Sequence, residues 1–154
     1  MRPIYENAKD LRSEKNLISH VSDCWNVVSY KLPMSYKIDY AMYRMDTGTS
    51  ASASENLVGF AEVKCRTHKF GTFPTYIISL AKVMEARRLA RETDTKSLLI
   101  VSWTDIIGFL DFFSHHQIRH GGRADRNDWQ DQEPVCHFDL KHFKGIGVRD
   151  GKSC

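Results

Sequence analysis

Residues 97–103 (Ser-Leu-Leu-Ile-Val-Ser-Trp) form a nearly unbroken apolar run of strand length. A strand with one wet face alternates apolar and polar residues, whereas a continuous run is the pattern of a strand buried on both faces. Such a strand needs other elements packed above and below it. Residues 106–113 resume an apolar pattern after Thr104-Asp105 and read as its neighbour. The 154 residues are enough for one compact domain with a real core and too few for two comfortable ones, so residues 1–154 are read as a single domain.

Two amphipathic helices are predicted to supply the layers. From residue 5 to about 25, Leu11, Ile18 and Val21 recur at helical spacing with Leu17 beside them. Glu14 falls on that same face, an unusual place for a carboxylate unless it is neutralised, paired or holding a metal. The second helix is marked by Leu80, Val83, Ala86 and Ala90, is capped near Ser79, and carries Arg87, Arg88 and Arg91.

The remaining strands come from residues rich in β-branched and aromatic side chains. Residues 25–30 and 36–45 read as strand, turn, strand around the Leu32-Pro33-Met34-Ser35 break, with Asp39 inside the second. The small polar stretch 46–56 is a flexible connection. Residues 57–65 resume a strand, and its period of two places Phe60, Glu62 and Lys64 on one face and Ala61, Val63 and Cys65 on the other. After a loop containing Gly71 and Pro74, no strand is expected before the second helix. Residues 115–133 read as polar loop, residues 135–140 as a last strand, and the rest as a basic tail.

Asp39 on one strand and Glu62-Val63-Lys64 on the next put two carboxylates and an ammonium in one neighbourhood. Hard cations such as magnesium take oxygen ligands, often one or two carboxylates plus water and substrate phosphate. A cation held by Asp39 and Glu62 would polarise a phosphoryl group and acidify a bound water. Lys64 would position that water or stabilise the charge that develops on phosphorus. Glu14 is a further candidate ligand, direct or through water.

The order of these motifs resembles a known family. A helix bearing Glu14, then Tyr36-Lys37-Ile38-Asp39-Tyr40-Ala41, then Gly59-Phe60-Ala61-Glu62-Val63-Lys64-Cys65-Arg66 is similar to the PD-(D/E)XK nuclease superfamily, in particular its small phage-encoded members. The likeness in element order covers most of residues 11–103. It implies an α/β fold with a central mixed sheet flanked by helices, the restriction-endonuclease-like core. It also implies dependence on magnesium or manganese and hydrolysis that leaves a 5′-phosphate. Carried over by position, Asp39 and Glu62 are metal ligands with the Val63 carbonyl a possible third, Lys64 is the catalytic lysine, and Glu14 is the helical acid, with Glu6 and Asp10 as competitors. Ile38 stands where the family's namesake proline would be.

DNA is the expected partner. The formal net charge is only +3, but the cations cluster as Lys64, Arg66 and Lys69, as Arg87, Arg88 and Arg91, and as Arg119, Arg123 and Arg126. Arg66, Lys69, Lys82, Arg123 and Arg126 are the expected phosphate contacts, which position nucleic acid without reading its sequence. Lys82 and Ser79 also fall where related nucleases place a polar or basic residue near the metal. One active site nicks one strand of a duplex, so a homodimer is expected.

Competing readings are weaker. Residues 121–126 lack the Gly-Lys-Ser/Thr ending of a phosphate loop, and Gln130 occupies the glycine position of a calcium loop. His115, His116, His120, His137 and His142 with Cys136 match no zinc spacing. An inactive nucleic-acid-binding module of the same fold is the principal alternative. Scattered Cys24, Cys65, Cys136 and Cys154 read as free thiols, with Cys65 and Cys136 buried in strands. The absence of a leader-like or membrane-length apolar stretch places the chain in the cytoplasm, that of the host if phage-encoded, with no membrane partner.

Overall fold

A computed structural model of the chain describes residues 7–45, 56–122 and 129–148. Helix α1 (Ala8–Trp25) starts where Asn7 and Asp10 cap each other reciprocally: the Asn7 side chain accepts from the Asp10 N–H at 2.9 Å, and the Asn7 N–H donates back to Asp10. It ends at Asn26, which adopts the left-handed conformation (φ 54°). Its buried positions are Glu14, Leu17, Ile18 and Val21, one helical stripe. Leu11, expected on that stripe, is exposed, because the helix joins the apolar core only from Leu17 onward.

Six strands form the main sheet in the order β1-β2-β3-β5-β6-β9: β1 (Val27–Lys31), β2 (Tyr40–Arg44), β3 (Leu57–Cys65), β5 (Lys96–Ser102), β6 (Ile106–Asp111) and β9 (Lys144–Val148). Only β3 and β5 pair in parallel; the other neighbours are antiparallel. The sheet is therefore mixed. The parallel pair requires a crossover, supplied by β4 (Thr75–Ser79) and helix α2 (Leu80–Thr93). β4 joins a second sheet, β4-β8-β7, with β8 (Gln132–Asp139) in the middle and β7 (His116–Gly122) at the far edge.

Alternation along the central strands divides the core in two. Ala61, Val63 and Ile100 face α1 together with Tyr40, Met42, Leu17, Ile18 and Val21. Phe60, Leu99 and Val101 face the other way, against Val83, Ala86 and Leu89 of α2 and Tyr76, Ile78, Cys136 and Phe138 of the small sheet. Both faces of β5 are covered, as its unbroken apolar sequence requires. Glu62 and Lys64 share the α2 side with Phe60, which is how a strand buried among hydrophobes comes to carry two charges inward.

Several expectations are corrected. Residues 36–39 are not strand: Met34–Tyr36 is a short 3-10 turn, Lys37 is left-handed (φ 57°), and the Leu32 N–H donates to the Asp39 carbonyl at 2.8 Å. Asp39 thus stands immediately before β2 rather than within it. β4, β7 and β9 are strands where loop or tail was expected, and Gly121 and Gly122, expected in a polar loop, belong to β7. Cys65 is exposed at the end of β3, while Cys136 is buried; neither is in a disulfide, whereas Cys24, expected as a free thiol, is disulfide-bonded. Among the described residues, no helix is long and apolar enough to cross a membrane.

Candidate active site

The turn that leads into β2, the middle of β3 and the first turn of α2 meet at the site. Glu62 is fully buried. Its Oε1 lies 2.8 Å from Lys64 Nζ and 3.0 Å from Lys82 Nζ, and its Oε2 accepts from Lys82 at 3.1 Å. Asp39 is held by the backbone: its Oδ2 accepts from the Val63 N–H at 2.9 Å. Lys64 Nζ stands 4.0 Å from that same oxygen, so one ammonium lies between the two carboxylates.

A second pair adjoins the first. Lys31, at the end of β1, donates to Glu14 Oε1 at 2.9 Å and stands 3.5 Å from Asp39 Oδ1. The hairpin register sets Lys31 opposite Tyr40, the residue after Asp39, which brings the lysine to that carboxylate. Glu14 is therefore tied to the site through Lys31. No sequence feature singled out Lys31; its role depends on the pairing of two strands.

Electrostatics set the charge states apart. Burial tends to raise the pKa of Asp39, but Lys64, the Val63 N–H, Lys31 and Lys82 outweigh it and hold the carboxyl below its ordinary range. Glu62 moves the other way: burial, joined by the charge of Asp39, pushes it up against the opposing pull of Lys64 and Lys82. Lys64 is partly buried, yet Glu62 and Asp39 hold its pKa well above that of a free lysine, so it carries its proton throughout the neutral range. Lys31 is likewise raised, its burial outweighed by Glu14 and Asp39.

Residues 1–146 match the family described as "Phage putative PDDEXK endonuclease". The chain belongs to this family. Among solved structures it is similar to Hjc of Archaeoglobus fulgidus, a Holliday junction resolvase from an archaeal hyperthermophile, with a TM-score of 0.57 over 90% of this chain and 93% of that one, at 12% identity. At that identity the likeness shows the fold, the restriction-endonuclease-like core expected from the sequence. No curated protein matches the chain.

Members of the PD-(D/E)XK superfamily use a divalent cation, and the donors here suit a hard one. Glu62 Oε1 is completely buried and finds no hydrogen-bond donor in good alignment, although two ammonium groups lie close. A carboxylate oxygen left in that condition is available to a cation. Asp39 offers a second oxygen, and the Val63 carbonyl belongs to the residue whose N–H orients it. Among the described residues, no three His, Cys, Asp or Glu side chains converge as a ligand set. The complement of a cation would therefore come from main chain, water and substrate, as is usual for magnesium.

The expected phosphate contacts separate. Lys82 is on Glu62, inside the site. Arg66 continues the row of Lys64 past the end of β3, where its guanidinium donates to the Tyr76 hydroxyl at 2.6 Å and lies 5.1 Å from the ring centroid. Burial pushes the Tyr76 hydroxyl up to about 12 in spite of Arg66 and Lys64. Lys69 is exposed in the following turn, its carbonyl accepting from Thr72. Arg123 and Arg126 lie outside the described residues.

Proposed function

We propose that this nuclease is a deoxyribonuclease that hydrolyses phosphodiester bonds with magnesium or manganese and leaves a 5′-phosphate. The observation that carries the reading is the buried Glu62 carboxylate beside a charge-depressed Asp39, with Lys64 between them. Perturbed acids and a cation gathered at one point are typical of reaction centres. The archaeal protein of the same fold is a Holliday junction resolvase, which supports DNA, branched DNA included, as the substrate class.

A bound divalent cation supplies Lewis acidity and lowers the pKa of a water. Asp39 and Glu62 would hold it, with the Val63 carbonyl as a further oxygen. The Val63 N–H fixes the orientation of Asp39 before substrate arrives. Lys64 keeps its proton and places positive charge where negative charge grows on the phosphoryl oxygens. Lys82 neutralises Glu62 from the α2 side. Glu14 acts through Lys31, which it holds against Asp39. Arg66, Lys69, Arg123 and Arg126 bind phosphates along the strand.

Cleavage of linear, circular and branched DNA with magnesium, manganese or chelator tests the reading, with Asp39→Asn as control. Metal-dependent products carrying 5′-phosphate are expected from the wild type, with a loss of at least about 10²-fold in the variant. Persistent DNA binding without any cut in either metal would replace the enzyme with a binding module of the same fold.

A further inference from the structure

A cavity of about 590 Å³ opens beside the reaction centre, within the size range of small-ligand sites. Arg66 lines it two residues beyond Lys64, and the aromatic rings of Tyr76, Trp103 and Phe73 line it with Arg119 and His137 of the small sheet. Among the described residues, no carboxylate lines it. Trp103 and Tyr76 are buried, whereas Phe73 is 56% exposed and is held by an edge-on contact with His68 at 5.0 Å. Burying a large aromatic ring normally stabilises a fold, so an exposed Phe73 at the entrance to an aromatic cavity is a surface suited to a ligand.

Aromatic faces combined with cations and without opposing acids match one chemistry closely: a planar nucleobase joined to a phosphate. The base stacks on the rings, and the phosphate meets the guanidinium groups. Bases inside an intact duplex are unavailable for such stacking, so the occupant must be unpaired or extruded.

We propose that this cavity accepts one unpaired nucleobase of the DNA held at the reaction centre, which makes an unpaired nucleotide beside the scissile phosphate the preferred substrate feature. The proposal rests on the nuclease reading of Asp39, Glu62 and Lys64. Arg66 is the link between the two places, since it follows Lys64 along β3 and closes on Tyr76. Phe73 supplies the exposed stacking surface at the entrance, the buried Trp103 and Tyr76 form the inner wall, and Arg119 supplies charge from the far side, with His137 as an uncharged polar edge beside it.

The test measures DNA affinity by fluorescence anisotropy in chelator, where no cleavage occurs. One duplex carries a single unpaired nucleotide; its twin carries an abasic unit at the same position. Wild type is expected to bind the first about tenfold more tightly, the scale of one base stacked on an aromatic side chain. Phe73→Ala, a change at an exposed position whose fold is checked by circular dichroism, should bring the ratio close to one, and Arg119→Ala should reduce it. Equal affinity for the two duplexes, no binding of either, or a ratio that survives Phe73→Ala overturns the proposal. So does saturable binding of free deoxynucleoside monophosphate without any base-over-abasic preference, which would make the cavity a site for free nucleotide. Because chelator is present, the outcome is separate from catalysis: a protein that shows the ratio but cuts nothing with metal loses the nuclease reading and keeps the cavity's assignment.

Discussion

Replacing Lys64 with methionine keeps the side-chain length and removes the charge, and the structure predicts two separable effects. In the resting protein, Glu62 loses the ammonium 2.8 Å from Oε1 but keeps Lys82 at 3.0 Å. Breaking a buried pair outright costs about 3–5 kcal/mol. With one cation retained, about 1–3 kcal/mol is the appropriate scale, that of leaving a buried polar group less well compensated. For a domain of this size that is a fall in Tm of roughly 2–12 °C. The loss depends on pH. Burial already holds the Glu62 pKa above its ordinary value, and removing Lys64 raises it further. A carboxyl with a raised folded pKa contributes stability that is present below its unfolded pKa and fades as pH rises through the folded value. The deficit of the variant should therefore be large at pH 8 and smaller at pH 5. Removing Lys64 also takes from Asp39 its strongest depressing charge, and the resulting rise of that carboxyl adds to the deficit in the same sense. The second effect is on turnover, expected to fall by about 10² to 10³. Thermal melts in chelator at the two pH values, with single-turnover cleavage in magnesium, measure both. A variant whose melting deficit is the same at pH 5 and pH 8 would refute the electrostatic account of Glu62. One that cleaves at the wild-type rate would remove Lys64 from the chemistry.

Two further outcomes follow from the surroundings of the site. Lys31→Met takes away the cation shared by Glu14 and Asp39, so the Asp39 pKa should rise toward its ordinary value, an upward shift readable by carbon-13 titration of the side-chain carboxyl; an unmoved titration would mean that Lys31 does not act on Asp39. Gly59→Val should destabilise the fold by about 1–3 kcal/mol in denaturant melts, because a Cβ there would stand 2.5 Å from the Lys96 carbonyl oxygen, and a melt unchanged from wild type would contradict the close packing of β3 on β5.

What was legible in the sequence was legible for identifiable reasons. β3 ends where it was expected to end, because its alternation and its two inward charges leave little freedom. α2 and β5 were readable from stripe and run, and Glu14 from its place on an apolar face. β7 escaped because an edge strand with little burial has no apolar period: His-Gln-Ile-Arg-His-Gly-Gly reads as loop until β8 pairs with it. β4 is short and runs directly into α2, so its Tyr-Ile-Ile looked like part of the approach to the helix. Lys31 was invisible for a different reason. Nothing in its neighbours marks it, and only the register of β1 against β2 gives it two carboxylates to serve. The 3-10 turn that displaces Asp39 from strand interior to strand entrance was similarly hidden, since aromatic and β-branched residues at 36–40 fit either geometry.

The division of the core by the alternation of β3 also bears on how sequences of this kind can drift. A single-residue insertion within β3 ahead of Glu62 would exchange the two faces of everything after it, turning Glu62 and Lys64 toward Leu17, Ile18 and Val21 and presenting Ala61 and Val63 to Lys82. Such a change removes the reaction centre and places two charges among the apolar side chains packed under α1. Lineages descended from this chain should accordingly gain and lose residues around β3, at its flanking connections, while the strand itself keeps its length and parity.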